Sequence, residues 1–196
     1  MGSELTRGRT VVAEAVTGRW SRRLTAVIAF AVLTGISAVI EVRIPGTPVP
    51  VTLQTMIVSL AGVLLGPWLG AASQALYLSA GALGAPVFAG GGFGVAHLLG
   101  PTGGYLLAFP LAAAVTGWLA GPPRKGVGPL LRLGIAIALG TLVIFGGGAA
   151  QLTLLTGDAS AAVRLGVLPF LLGDAFKVLA ALLVAWRYRA RTLGSL

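Results

Sequence analysis

Apolar residues in this chain fall in six long runs, at 24–40, 52–65, 68–83, 105–119, 134–150 and 167–186, separated by polar or glycine- and proline-rich segments. A helix that crosses a bilayer needs about 20 apolar residues, or about 17 at the short end. The pattern therefore predicts an all-α membrane protein with six transmembrane helices. The second and third runs are short, and flanking residues or local bilayer thinning must complete them. Gly66-Pro67 stands between them. One continuous helix would carry this pair in its middle, so the stretch is predicted to fold as a helical hairpin. The expected organisation is an N-terminal arm at 1–23 with a short surface helix ending near Trp20, a six-helix domain at 24–190, and a tail at 191–196.

The connecting segments differ in character. Residues 41–51 hold Pro45, Pro48 and Pro50, and prolines at this density favour extended structure in a surface loop. Residues 121–133 and 151–166 read as loops. The segment 84–104 holds eight glycines and two prolines, yet it also carries Val87, Phe88, Phe93, Val95, Leu98 and Leu99. A flexible linker would be polar. This loop is instead expected to fold back on the bundle as a lid, with backbone N–H groups such as those of Gly91 and Gly92 close to a ligand.

Composition agrees with a membrane protein. Hydrophobic residues make up 56% of the 196 and charged residues 10%, against about 25% charged in soluble domains. The net charge of +9 invites a nucleic-acid reading, but its distribution argues otherwise. With six spans, eleven of the fourteen Lys and Arg fall on one side, Arg43 and Arg164 on the other, and Lys177 within the membrane. This positive-inside bias places both termini in the cytoplasm and the glycine-rich loop between helices 3 and 4 outside. Contact with anionic lipid accounts for the basic excess.

Several chemistries are excluded. There is no cysteine and only one histidine, His97, so thiolate sites and multi-histidine metal sites are ruled out. Neither lysine is followed by Ser or Thr as a phosphate-binding P-loop requires, so the chain is not its own ATPase. No G-x-S-x-G motif accompanies the histidine.

The unusual chemistry lies in the last run, at Gly173-Asp-Ala-Phe-Lys177. An ionisable residue in a membrane helix costs at least ~2.5–3.5 kcal/mol on insertion scales. Asp174 and Lys177 are three apart and share a helix face. They form either a structural ion pair or a polar ligand site. Gln54, Tyr77 and Tyr105 belong to the same outward half of the bundle and are candidate ligand contacts. Ala31 and Gly35 in the first run give small-xxx-small spacing, which suits close packing within the chain or docking of a partner protein. An intramembrane enzyme using Asp174 remains an alternative with little supporting machinery.

An ordered set of motifs carries a family resemblance. They are Pro48-Val-Pro-Val-Thr-Leu-Gln54, Leu60-Ala-Gly-Val-Leu-Leu-Gly-Pro67, Pro86-Val-Phe-Ala-Gly-Gly-Gly92, Leu99-Gly-Pro-Thr-Gly-Gly-Tyr105 and Gly173-Asp-Ala-Phe-Lys177. Over 24–186 the chain resembles the BioY family, the biotin-binding S components of energy-coupling factor (ECF) vitamin transporters. The resemblance implies a non-enzymatic, multi-pass subunit of a prokaryotic cell membrane. It would capture biotin from outside as cargo, with no cofactor and no metal. It would work with a transmembrane coupling subunit and two cytoplasmic ATPases. It also implies a docking surface for the coupling subunit on the first helix, where Ala31-Val-Leu-Thr-Gly35 is the nearest match to the A-x-x-x-A pattern. Asp174 and Lys177 would meet the polar groups of biotin, helped by Gln54, Tyr77, Tyr105 and the glycines. Another small vitamin on the same scaffold is the alternative cargo.

Overall fold

A computed structural model describes residues 2–122 and 126–196, with side chains from residue 18 onward. Arg7 and Arg9 of the expected arm, and Arg124 and Lys125, lie outside the described side chains. The described residues are mostly helical. Helix α1 (Gly2–Val39) is followed by a two-residue antiparallel ribbon, β1 (Glu41–Val42) with β2 (Val51–Thr52), in the register Glu41 to Thr52. Next come α2 (Gln54–Leu65), α3 (Pro67–Ala82), a 3-10 turn at Ala89–Gly91 and the single-turn α4 (Val95–Leu98). Beyond these lie α5 (Gly103–Ala120), α6 (Val127–Thr156), α7 (Ala159–Gly166), a 3-10 turn at Leu168–Phe170 and α8 (Leu171–Ser195).

The break expected at Gly66-Pro67 is present. Gly66 has φ +83°, a left-handed value that favours glycine, and Pro67 opens α3 at a position where a missing N–H costs nothing. The two arms lie so close that a Cβ on Gly70 would sit 2.9 Å from the carbonyl oxygen of Ala61. Four segments are long and apolar enough to cross a membrane: Gly18–Val39, Gly103–Ala120, Val127–Thr156 and Ala159–Ser195. Helix α2, with 12 residues, and α3, with 16, are shorter. At 1.5 Å per residue they reach only about 18 and 24 Å.

Four boundaries differ from expectation. The expected arm is not separate, because α1 runs from Gly2 through the first span without a break. The run at 134–150 is the middle of a 30-residue helix, so Arg132 lies on α6 and not in a loop. Polar residues alone do not stop a helix. Helix α6 continues through Gln151 and Thr153 and ends where Gly157 takes φ +72°. The expected loop at 151–166 is then mostly helical, because Asp158 caps α7 by accepting from Ser160 N (2.7 Å) and Ala161 N (3.2 Å). Helix α8 likewise runs through most of the expected tail.

The core divides along the bundle. Toward the end that carries the ribbon and the glycine-rich loop, it is aromatic: Tyr77, Phe88, Tyr105, Phe109, Phe145 and Phe170 pack together. Toward the other end it is aliphatic, with Val63, Leu133, Ile137, Ala181 and Ala185. Backbone contact is close where Gly62 meets Ala113 and Gly117.

The small residues of α1 face inward. Ala31 is 8% exposed, and a Cβ on Gly35 would meet Val87 at 3.4 Å and the Tyr77 ring at 3.9 Å. The expected docking surface at Ala31 and Gly35 is therefore corrected. This stripe is occupied inside the chain, where it lets α1 approach α3. The apolar residues α1 leaves exposed include Leu24, Ile28, Val32, Leu33, Ile36 and Val39.

Candidate functional site

A cavity lies in the aromatic half of the bundle, lined by residues of β2, α2, α5, α6, α8 and the glycine-rich loop. The start of α8 supplies its charged wall. The Lys177 Nζ stands 2.6 Å from Asp174 Oδ1, and the two side chains are 11% and 5% exposed. Thr55, on the first turn of α2, donates to the same oxygen at 2.9 Å and lies 3.4 Å from Lys177 Nζ. Asp174 Oδ1 is thus satisfied twice. Its Oδ2 makes no hydrogen bond among the described residues, and the Lys177 ammonium has one proton beyond those facing Asp174 and Thr55. Those are the groups a ligand would meet.

Gln54 and Tyr105 also line the cavity. Gln54 is held on both ends of its amide, accepting from Thr52 Oγ1 at 3.1 Å and donating to Tyr77 OH at 2.6 Å. Tyr77 passes its own proton to Val87 O at 3.2 Å and is 2% exposed. Tyr77 is therefore not part of the cavity wall, contrary to expectation. It stands one step behind, tying Gln54 to the glycine-rich loop. Tyr105 puts its ring on the wall and donates its hydroxyl to Gly166 O at 2.6 Å. Its ring fits because Gly148 has no side chain, since a Cβ there would overlap it. The phenol proton is committed to the backbone, which leaves the oxygen as an acceptor.

The glycine-rich loop covers one side of the cavity, with Ala89 and His97 on its wall. Gly91 and Gly92 are not on that wall. Gly91 (φ +73°) faces open space, and Gly92 packs on the His97 ring. Gly91 serves the turn through its positive φ, and Gly92 leaves room for the His97 ring. The loop is anchored rather than loose. Phe88 is 2% exposed and stacks on His97 with ring centroids 5.1 Å apart. Gln151 on α6 donates to Leu98 O at 3.0 Å. Burial lowers the His97 pKa below the ordinary imidazole value, so the neutral ring is favoured.

Sequence reading missed Thr55, His97 and Gln151. A signal existed for Thr55, which directly succeeds Gln54 at a helix start. None existed for Gln151, because its partners are backbone carbonyls some fifty residues away. Among the described residues no group of three or more His, Cys, Asp or Glu could hold a metal ion.

The same architecture occurs in a known structure. The crystal structure at 2.1 Å of the S-component for biotin from an ECF-type ABC transporter matches with a TM-score of 0.77 and 26% identity, over 86% of this chain and 91% of that one. Among curated proteins, a probable biotin transporter BioY of Pyrococcus horikoshii is 41% identical over 172 residues, covering 88% of this chain and 99% of the relative. A biotin transporter BioY of Thermotoga maritima is 38% identical over 148 residues, covering 76% and 85%. The BioY family model matches residues 8–193. A match of that extent, with relatives aligned along nearly their whole length, makes this chain a member of the BioY family.

Proposed function

We propose that this protein is a biotin-binding S component that captures biotin at the cavity and passes it across the membrane. It works with an energy-coupling module made of a transmembrane coupling subunit and two cytoplasmic ATPases, and it does no chemistry on its ligand. All six helices α1, α2, α3, α5, α6 and α8 span the membrane, both termini are cytoplasmic, and the cavity opens outward. The distribution of Lys and Arg supports this orientation.

The observation that carries the reading is the buried Asp174–Lys177–Thr55 cluster on the wall of a largely apolar cavity. Biotin offers a ureido ring with two N–H donors and a carbonyl, an apolar thiophane ring and chain, and a terminal carboxylate. Asp174 Oδ2 accepts a ureido N–H, Lys177 donates to an oxygen of the ligand, and Gln54 and the Tyr105 oxygen assist. Phe109, Phe145 and Phe170 enclose the apolar part. A buried polar group left unpaired costs about 1–3 kcal/mol, so such a site rejects an apolar mimic.

The test is equilibrium binding of radiolabelled biotin to detergent-purified protein, with thiamine and riboflavin as competitors. Saturable one-site binding that neither competitor displaces supports the reading. Displacement of biotin by either competitor assigns the site to another vitamin, and absence of binding overturns the proposal.

A further inference from the structure

The end of the bundle farthest from the biotin cavity holds a second, chemically different cavity. It lies between the start of α6 and the end of α8, and four arginines line it: Arg132, Arg187, Arg189 and Arg191. Two of the four hold the fold together. Arg189 is 7% exposed and donates Nε to Val63 O at 2.9 Å, Nη1 to Ala120 O at 3.3 Å and Nη2 to Gly121 O. Arg132 donates Nε to Leu119 O at 2.7 Å. These carbonyls sit at the C-terminal ends of α2 and α5, where helices leave acceptors unsatisfied and favour cations. Arg187 and Arg191 are exposed and have no hydrogen-bond or ion-pair partner among the described residues.

Among the described side chains, charge around this cavity is unbalanced. The carboxylate side chains among the described residues are Glu41, Asp158 and Asp174, and each is paired elsewhere, with Arg43, Arg164 and Lys177. Within the membrane geometry, Arg187 and Arg191 lie ten and fourteen residues beyond Lys177 on α8, or about 15 and 21 Å along the axis. That places them at the opposite boundary of the apolar slab. Trp186, 43% exposed, stands on the cavity rim, and tryptophan is enriched at that depth.

A second feature selects the ligand. Next to the basic cavity, sharing Gly128 and Arg132 with it, is a groove lined by Leu119, Leu131, Ile135 and Ala136. Leu131 and Ile135 are exposed on a helix apolar enough to cross a membrane. An anionic head beside an apolar channel matches one class of molecule. We propose that this end of the protein binds one anionic phospholipid. Its phosphate sits among Arg132, Arg187 and Arg191, and one acyl chain lies along the groove beside α6. A free phosphate would leave the groove unused, and an acidic peptide would have to lie on lipid-facing leucine and isoleucine.

The experiment is native mass spectrometry of the purified full chain in neutral detergent, titrated with phosphatidylglycerol, phosphatidylcholine or sn-glycerol 3-phosphate. Wild-type protein is expected to retain one phosphatidylglycerol and to prefer it over phosphatidylcholine at least tenfold. Arg187→Gln/Arg191→Gln should lose that preference. Arg187→Lys/Arg191→Lys should keep most of it, and Arg19→Gln/Arg22→Gln, which removes equal charge outside the cavity, should keep all of it. Equal retention of the two lipids overturns the proposal, as does an unchanged preference in the double Gln variant. Displacement of the lipid by glycerol phosphate would assign the cavity to a free anion, and equal loss in the Arg19/Arg22 control would assign the effect to surface charge at large. Thermal unfolding midpoints verify the fold of each variant. Biotin binding is not the readout, so the fate of this proposal and of the cargo assignment are separate.

Discussion

Replacing Asp174 by Asn changes one oxygen and one charge at the centre of the buried cluster. The native carboxylate accepts from Lys177 at 2.6 Å and Thr55 at 2.9 Å, leaving Oδ2 toward the cavity. In the variant the Lys177 ammonium, 11% exposed, faces a neutral amide. Breaking one side of a buried ion pair costs about 3–5 kcal/mol of stability, because the remaining charge stays buried and uncompensated. A ligand N–H that met a carboxylate also loses a charge-assisted bond of about 1.5–3 kcal/mol. By the usual tenfold per 1.4 kcal/mol, the Kd for biotin should rise roughly 10- to 150-fold. Loss of stability alone would confuse the result, so Asp174→Asn/Lys177→Met is measured in parallel. It removes both charges with little change in volume and should recover most of the thermal stability without recovering affinity. The assay is radiolabelled biotin binding in detergent alongside thermal unfolding of the same preparations. If either variant binds biotin within twofold of wild type, the pair is structural glue and the assignment of the site is wrong.

Thr55→Val keeps shape but removes the donor to Asp174, and should weaken biotin binding by roughly tenfold, from the ~1.5 kcal/mol of a hydrogen bond to a charged group; isothermal titration would read it. Gly148→Ala places a methyl group in the space of the Tyr105 ring. It should cost about 1–3 kcal/mol of stability by overpacking, with lower affinity because the ring lines the cavity; an unfolding midpoint equal to wild type contradicts this account. The lowered His97 pKa carries a sign. Unfolding the loop binds a proton between the folded value and the ordinary one of about 6.5. Loop stability is full above about pH 6.5 and falls as pH drops through that window. Biotin affinity should therefore decline more steeply between about pH 7.5 and 5.5 in wild type than in His97→Gln, and matching profiles refute the link.

Sequence by itself determined the class of the molecule and the position of its buried charge pair. Long apolar runs leave the backbone no way to satisfy its hydrogen bonds in lipid except as helices. A Gly-Pro pair is a strong helix breaker, so the α2–α3 break at Gly66-Pro67 was legible. Asp174 and Lys177 had to share a face, because three residues is nearly one turn. Spacing along one helix conveys nothing about what the opposite helix presents. That is why Thr55 completing the cluster, and Tyr77 retreating behind Gln54, appear only once α2, α3 and α8 are packed. The same limit governed the small residues of α1. Ala31 and Gly35 suit any close neighbour, and only the positions of Val87 and Tyr77 decide that the neighbour is the chain's own loop and α3. Helix ends obeyed their caps and not their polarity, so Gly157 and Asp158 set the ends of α6 and α7 where hydropathy had placed a loop. Local patterns report what a segment prefers. Which surfaces face lipid, ligand or one another depends on contacts between residues far apart in the chain, and packing alone supplies those.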